Sequence, residues 1–317
     1  MGDCYYLAAL ATLAEWPHRI EKVFLSKNAD QRQIFGIWLY KNGMKTYVLV
    51  DNYFPVLKPG YRGSGKPIFA KSHGNELWPA VAEKCYAKYH RGYMIIEGGN
   101  TGPTMRELTG APTYMHNFKA GEEIPGLWDK LLEGEKLQYG MSAGTDGTDE
   151  GELDDNGIVP GHAYTLIAAA EVTNKDGNKE RLVKLRNPWK KGEWNGRYND
   201  KSNDWTPALK KLLKFVDADD GIFWMPYEEM CTAYSVVDIC KIDDKNFFTY
   251  QKVSNDNGYA IIKFKYPKNS TEPHLTTFAV SQKDCRAEEA DGNSNFTLNN
   301  YTRQVDVKFI KVVNDKK

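Results

Sequence analysis

Gly2-Asp3-Cys4-Tyr5-Tyr6-Leu7-Ala8-Ala9-Leu10-Ala11-Thr12-Leu13-Ala14-Glu15-Trp16 is apolar on nearly every side between Cys4 and Ala14. A helix of that composition has no face to give to water, so it runs through a core. Asp3 stands where an N-cap belongs, and Pro17 closes the run. The stretch is too short to cross a bilayer. Asp3 precedes it and no Lys or Arg does, unlike the start of a secretory signal. No membrane span is expected. Cys4 therefore falls on the first turn of a buried helix, where the partial positive charge of the N-terminus favours a thiolate. Gly2 lets another backbone approach closely. The position suits a nucleophile, and it equally suits a packed thiol.

A nucleophile needs a base. His162 lies in Pro160-Gly161-His162-Ala163-Tyr164, at the mouth of a predicted strand, and Asn187 in Leu185-Arg186-Asn187-Pro188-Trp189, at the end of the next. The midpoint of 162 and 187 is 174.5, inside the turn-forming run Asn174-Lys175-Asp176-Gly177-Asn178. If the two strands form a hairpin, His162 and Asn187 meet across the ladder. An Asn beside a His fixes the imidazole tautomer without adding charge. Trp189 is placed to shield that hydrogen bond from water. Taken singly, such a His is usually a satisfied strand residue and Asn before Pro usually a turn.

The rest of the chain frames these residues. It has 317 residues, with 42 Lys+Arg against 42 Asp+Glu, 41% apolar residues and five Cys. Zero net charge gives no basic field, so no nucleic-acid partner is expected. An odd number of Cys with no C-x-x-C pair rules out a complete disulfide framework and points to a reducing, cytoplasmic setting. Ile34–Tyr40 and Thr46–Phe54 read as strands joined at Lys41-Asn42-Gly43. Glu76–His90 reads as a helix and Leu127–Leu132 as a short one, and Gly98-Gly99 as a hinge between lobes. Strands are predicted at Leu137–Ser142, Ala163–Val172, Arg181–Arg186, Ile222–Met225 and Ser235–Ile242, with a helix at Tyr227–Ala233. After about Asp243 come short strands, Tyr259–Tyr266, Thr276–Val280 and Val305–Val313, as in a small all-β domain. Cys85, Cys231, Cys240 and Cys285 read as packing residues, as do Trp16, Trp38, Trp78 and Trp128. The acidic run Asp146–Asp155 reads as a solvated loop.

The chain order Cys, His, Asn is the papain-like order. Gly2-Asp3-Cys4, His162-Ala163-Tyr164, Asn187-Pro188-Trp189 and Asp220-Gly221-Ile222-Phe223-Trp224-Met225 together resemble the calpain cysteine proteases. The likeness takes in Leu77-Trp78-Pro79-Ala80-Val81-Ala82-Glu83-Lys84-Cys85-Tyr86-Ala87-Lys88, Glu97-Gly98-Gly99 and Glu193-Trp194-Asn195-Gly196-Arg197, and it runs from about residue 2 to 242. It implies an α+β fold: a papain-like two-lobed core followed by a partial all-β sandwich. The lobes would span 1–98 and 99–243, and the sandwich segment 244–317. It also implies Cys4 as nucleophile, His162 as general base and acid, Asn187 as orienter and Trp189 in support, acting on protein substrates by limited proteolysis. Tyr5 stands where animal members usually have Trp.

The same resemblance implies calcium as a regulator, bound through carboxylates and carbonyls. Glu76 matches a ligand of the first lobe, and Glu193, Asp200 and Asp220 match ligands of the second. The next acidic position of the second lobe is Ile222, which cannot coordinate. The family's oxyanion Gln lies six residues before the nucleophile, whereas this chain has three residues there. One such donor is worth about 10²–10³ in rate. The alternative reading is therefore a catalytically impaired calpain-like module for binding or scaffolding. Substrate preference and oligomeric state are not legible from the residues.

Overall fold

The computed structural model describes residues 2–25, 33–60, 65–70, 76–147, 153–190 and 192–245, with 249–250 and 277–278. The strands expected beyond Asp243, together with Cys285, fall almost wholly outside these residues.

The apolar N-terminal run forms α1 (Cys4–Ala14). Asp3 occupies the N-cap position, but its side chain makes no cap hydrogen bond; its carbonyl instead accepts from Tyr6 and Leu7 N–H at 3.0 and 3.1 Å. Pro17 does more than end α1. It opens α2 (Pro17–Val23) from the first turn, where its missing N–H costs nothing. β1 (Phe35–Lys41) and β2 (Met44–Val50) pair antiparallel around Asn42 and Gly43. Both turn residues are left-handed, with φ of 50° and 77°, as a two-residue hairpin turn requires. α3 (Trp78–Tyr89) buries Val81, Ala82, Cys85 and Tyr86. After a 3₁₀ turn at Tyr93–Ile96 comes α4 (Thr101–Thr109), a helix the sequence reading passed over as a hinge. These elements enclose one apolar core around Tyr6, Leu10, Ile37, Leu39, Tyr86 and Met105.

The remaining elements build a six-stranded antiparallel sheet. In chain order they are β3 (Thr113–Asn117), α5 (Leu127–Leu137), β4 (Gly140–Gly144), β5 (Ala163–Thr173), β6 (Lys179–Arg186), α6 (Pro207–Leu212), β7 (Ile222–Pro226), α7 (Tyr227–Ala233) and β8 (Val236–Cys240). The order across the sheet is β3-β8-β4-β5-β6-β7. A second core lies on the sheet under α5 and α7, around Leu131, Tyr164, Val183, Phe223 and Met230. α5 runs five residues past the expected Leu132. Gln138 then turns left-handed at φ 57°, so the strand expected from Leu137 starts at Gly140. Trp128 is buried as expected, whereas Trp16, Trp38 and Trp78 are only half-buried. Arg19 lies over the Trp16 ring at 4.3 Å and Lys45 over Trp38 at 4.5 Å.

The two cores meet where α1 lies on the sheet. Thr165 Oγ1 on β5 donates to the Ala8 carbonyl at 3.0 Å, and Thr12 Oγ1 on α1 lies 3.3 Å from the Met141 carbonyl of β4. Arg186, at the end of β6, pairs with Glu15, just past the end of α1. The helix that begins at Cys4 is thus bonded directly to the strand that begins just after His162.

Candidate active site

β5 and β6 form the expected hairpin. Thr173 pairs with Lys179, which centres the turn on Asp176 rather than at 174.5. A register shift between Leu166 and Ala168 brings the base of the ladder back by a residue, so that Thr165 faces Arg186. His162 and Asn187 extend from that base on adjoining strands, and their side chains meet: His162 Nε2 lies 2.9 Å from Asn187 Oδ1, both residues buried.

The local bonds fix the orientation of both groups. Asn187 Oδ1 also accepts the Trp189 backbone N–H at 3.0 Å, and Asn187 Nδ2 points at the Gly192 carbonyl at 3.5 Å. An oxygen that accepts from Trp189 accepts from His162 as well, so Nε2 carries the imidazole proton and Nδ1 the lone pair. Nδ1 is buried and makes no hydrogen bond. The Trp189 ring covers the pair, its centroid 4.2 Å from that of His162. Thr145 Oγ1 accepts the His162 N–H at 3.0 Å and donates to the Val159 carbonyl at 2.7 Å, pinning the backbone. Burial pushes the His162 imidazole down to about 4, a displacement only partly offset by the Asn187 hydrogen bond. The ring is neutral at pH 7, and a neutral imidazole is the form that can take a proton.

Cys4 is the first residue of α1 and is buried. Its backbone N–H belongs to the first helical turn, which has no intrahelical acceptor. Two bonds hold the chain there: Gly98 N–H donates to the Gly2 carbonyl at 2.6 Å, and Tyr5 hydroxyl donates to the Ile96 carbonyl at 3.0 Å. Cys4 and His162 line one cleft of about 470 Å³, with Gly99–Thr101 on one bank and Gly144–Gly147 on another. Of the expected acidic loop, Asp146 is at the cleft edge, where it accepts from Ser235 Oγ at 2.7 Å; residues 148–152 lie outside the described residues. Cys85, Cys231 and Cys240 are buried free thiols away from the cleft lining.

The carboxylates expected to hold calcium are bonded to donors of the chain itself. Among the described residues no three His, Cys, Asp or Glu side chains are placed to hold a metal ion. Glu76 Oε2 accepts from Trp78 Nε1 at 3.2 Å. Glu193 Oε1 is taken by the backbone N–H groups of Gly221 and Asp220, at 2.7 and 3.1 Å, and Asp200 Oδ2 by that of Ala218 at 3.0 Å. Burial raises both Glu193 and Asp200, and nearby acids add to it: Asp200 and Asp219 act on Glu193, Asp217 and Asp220 on Asp200. Amides thus take one oxygen of each of Glu193 and Asp200.

Two residues of the site escaped the sequence reading. Thr145 gave no signal in its loop. Asp238 did: it is the single charged residue in the apolar strand Val236-Val237-Asp238-Ile239-Cys240, and it is buried in the cleft lining.

Comparison with known proteins returns the same outline. The family described as calpain family cysteine protease matches residues 1–241. The chain is 34% identical over 258 residues to "Calpain-type cysteine protease ADL1" of Oryza sativa subsp. japonica, covering 76% of this chain and 11% of the relative. It is 35% identical over 250 residues to "Calpain-14" of Homo sapiens, covering 76% and 35%. It is 32% identical over 251 residues to "Calpain-1 catalytic subunit" of Mus musculus, covering 76% and 34%. The chain thus spans between about a tenth and a third of the length of these relatives.

Proposed function

Since the chain belongs to the calpain family of cysteine proteases, we propose that it is a cysteine endopeptidase that cuts exposed segments of proteins with Cys4, His162 and Asn187. The observation that carries this is the 2.9 Å contact between His162 Nε2 and Asn187 Oδ1, which leaves an unprotonated, unpartnered Nδ1 in the cleft that Cys4 also lines.

Cys4 Sγ forms a bond to the substrate carbonyl carbon while its proton passes to His162 Nδ1. The negative charge on the carbonyl oxygen is received by the Cys4 backbone N–H at the start of α1. When the C–N bond breaks, Nδ1–H protonates the leaving amine, a step worth about 10²–10⁴-fold. Water then gives a proton to Nδ1 and attacks the thioester carbon; the C–S bond breaks, the carboxylic acid product leaves, and Sγ takes the proton back from Nδ1 to regenerate the thiol. Asn187 keeps the ring plane and tautomer through the cycle. Trp189 keeps water off the hydrogen bond between them, which strengthens it. The scaffold alternative leaves the tautomer control and the pinned backbone of His162 without a purpose.

A thiol-directed peptidyl epoxide tests the reading. It should label wild type at Cys4 and leave Cys4→Ala unlabelled; equal labelling of the two proteins overturns it. Calcium regulation is part of the proposal: a calcium ion that takes Glu193 through Oε1 competes with the Asp220 and Gly221 amides for that oxygen. We place the protein inside the cell, a setting that keeps Cys4 reduced beside the free thiols of Cys85, Cys231 and Cys240. Among the described residues no helix is long and apolar enough to cross a membrane.

A further inference from the structure

Asp3 stands at the N-cap of α1 without capping it, because its side chain has another partner. That partner is Glu83, in the middle of α3, whose carboxyl is within hydrogen-bonding reach of the Asp3 carboxyl. Both residues are buried, Asp3 at 5% and Glu83 at 1% exposure. Both oxygens of Glu83 lie 3.0 Å from one backbone nitrogen, that of Ala70. Asp3 Oδ2 is buried and receives no N–H or hydroxyl. The cations of α3 are engaged elsewhere, Lys84 by Asp51 and Lys88 by the Leu49 carbonyl at 2.8 Å. The other titratable groups near the pair are Cys4, Tyr5 and Tyr6 of α1, Cys85 of α3 and Tyr93 of the 3₁₀ turn, none of them a cation. Two carboxyls in contact, out of water and without a counter-charge, do not both ionise: each negative charge disfavours the other, and neither is solvated. One proton stays between them. Burial, reinforced by Asp3, pushes the Glu83 carboxyl up to about 10, so Glu83 keeps that proton at pH 7. A protonated Glu83 is a donor, and it gives the Asp3 carboxyl a hydrogen bond that no amide or hydroxyl gives to Oδ2. The bond ends on the residue that precedes Cys4 and whose carbonyl accepts from Tyr6 and Leu7 N–H in the first turn of α1.

We propose that Glu83 is a positioning residue of the site: its carboxyl proton holds Asp3, and so fixes the first turn of α1, from which Cys4 faces the cleft. The inference rests on the peptidase reading for its consequence, and on the buried pair alone for its geometry. Glu83 touches neither substrate nor the reacting atoms and acts through Asp3. Gln at this position keeps an acceptor for the Ala70 amide and a donor for Asp3, whereas Ala keeps neither. The two substitutions therefore separate the proton from the charge.

The experiment compares wild type with Glu83→Gln and Glu83→Ala. At pH 8 the infrared spectrum of wild type should carry a protonated-carboxyl C=O band that Glu83→Gln lacks. The folded chain keeps a proton that the unfolded chain releases above the ordinary carboxylate value, so the stability Glu83 contributes is present in acid and is lost as pH rises towards about 10. The Tm of Glu83→Gln should therefore gain on that of wild type between pH 5 and pH 9. Labelling of Cys4 by a peptidyl epoxide should stay within about twofold of wild type in Glu83→Gln and fall about tenfold or more in Glu83→Ala. Hydrogen exchange at the Tyr6 and Leu7 amides should match wild type in the first and quicken about tenfold or more in the second. A missing band, or a Tm difference that does not change with pH, overturns the shared proton. Equal labelling and equal exchange in all three proteins overturn the positioning role. If Glu83→Ala does not fold, the same amides still decide: their exchange in wild type should outrun that in Glu83→Gln as pH nears 10, and a constant ratio refutes the role. If the epoxide labels no protein although iodoacetamide alkylates Cys4, the peptidase reading fails by itself, and the exchange rates still decide whether Glu83 holds the start of α1.

Discussion

The proposed role of His162 depends on two influences that do opposite things. Burial makes its proton expensive to hold, whereas Asn187 gives the protonated ring a hydrogen-bond acceptor. Asn187→Ala removes the acceptor and frees the ring to turn. Its expected effect is a fall in kcat of about 10²-fold, the lower end of what a positioned base contributes, with KM little changed. Steady-state kinetics on a peptide substrate checks this, and a loss confined to KM would contradict it. The same displacement predicts acid sensitivity. The imidazole titrates near 6.5 in an unfolded chain and at about 4 here, so the unfolded chain binds more protons between those values. Stability should therefore be fully held above pH 6.5 and decline as pH falls towards 4, by about 3 kcal/mol from this residue. Asp238 acts the other way, because its carboxyl is raised to about 6 and the folded chain holds that proton longer. Denaturation curves at pH 4 and pH 7 should thus show a larger acid loss in Asp238→Asn than in wild type. Equal losses would mean that Asp238 is already paired in solution.

At the scale of elements, the contact that matters most is α1 on β5. It sets the proposed nucleophile against its proposed base, and the Thr165 side chain crosses it with a hydrogen bond to the Ala8 carbonyl. Thr165→Val keeps the shape and removes one hydrogen bond from a carbonyl that Thr12 Oγ1 also reaches at 2.9 Å, at an expected cost of about 0.5–1.5 kcal/mol and a lower Tm. If calorimetry shows the Tm unchanged, the two elements are held by apolar packing alone. The hairpin that carries His162 and Asn187 was legible in the sequence because its turn is written in Asn, Asp and Gly and its strands in β-formers. The bulge at Leu166 was not, since nothing in Leu166-Ile167-Ala168 marks an extra residue. α4 was missed for a plain reason: Thr101-Gly102-Pro103-Thr104 reads as a breaker, yet Pro103 sits in the first turn, where proline is tolerated, and Gly102 is required by Asp238. β3 is a five-residue edge strand, which carries too short an alternation to read. The proposed triad could be picked out because each member borders a strong local signal. Asp238 called for knowing which face of β8 turns to the cleft.

Across the whole molecule, α2 is tied to the chain leaving β8. His18, Arg19 and Lys22 converge on Asp244, at 2.9, 3.2 and 2.6 Å, and the buried Arg19 also donates to the Gln138 carbonyl at 2.7 Å. Although its partial burial pushes the other way, these hydrogen bonds hold the Asp244 carboxyl well below the usual carboxylate range. Its stabilising effect is present at neutral pH and is lost as pH drops below the ordinary carboxylate value. Asp244→Asn should lower stability by about 1–3 kcal/mol, because it leaves Arg19 short of a counter-charge. The calcium proposal belongs to this scale too. Millimolar calcium should hasten hydrogen exchange at the Asp220 and Gly221 amides as Glu193 leaves them, and unchanged exchange with an unchanged Tm counts against calcium at this site. The β5–β6 hairpin has one more consequence. The proposed catalytic residues His162 and Asn187 sit at the base, while the exposed tip at Asp176 and Gly177 is fourteen residues from His162 and ten from Asn187. The ladder between them transmits register but not the identity of the loop. A fluorescent reporter or an affinity tag spliced in at Gly177 would ride on the protein without reaching the cleft, which makes this turn a natural handle for watching the protein at work.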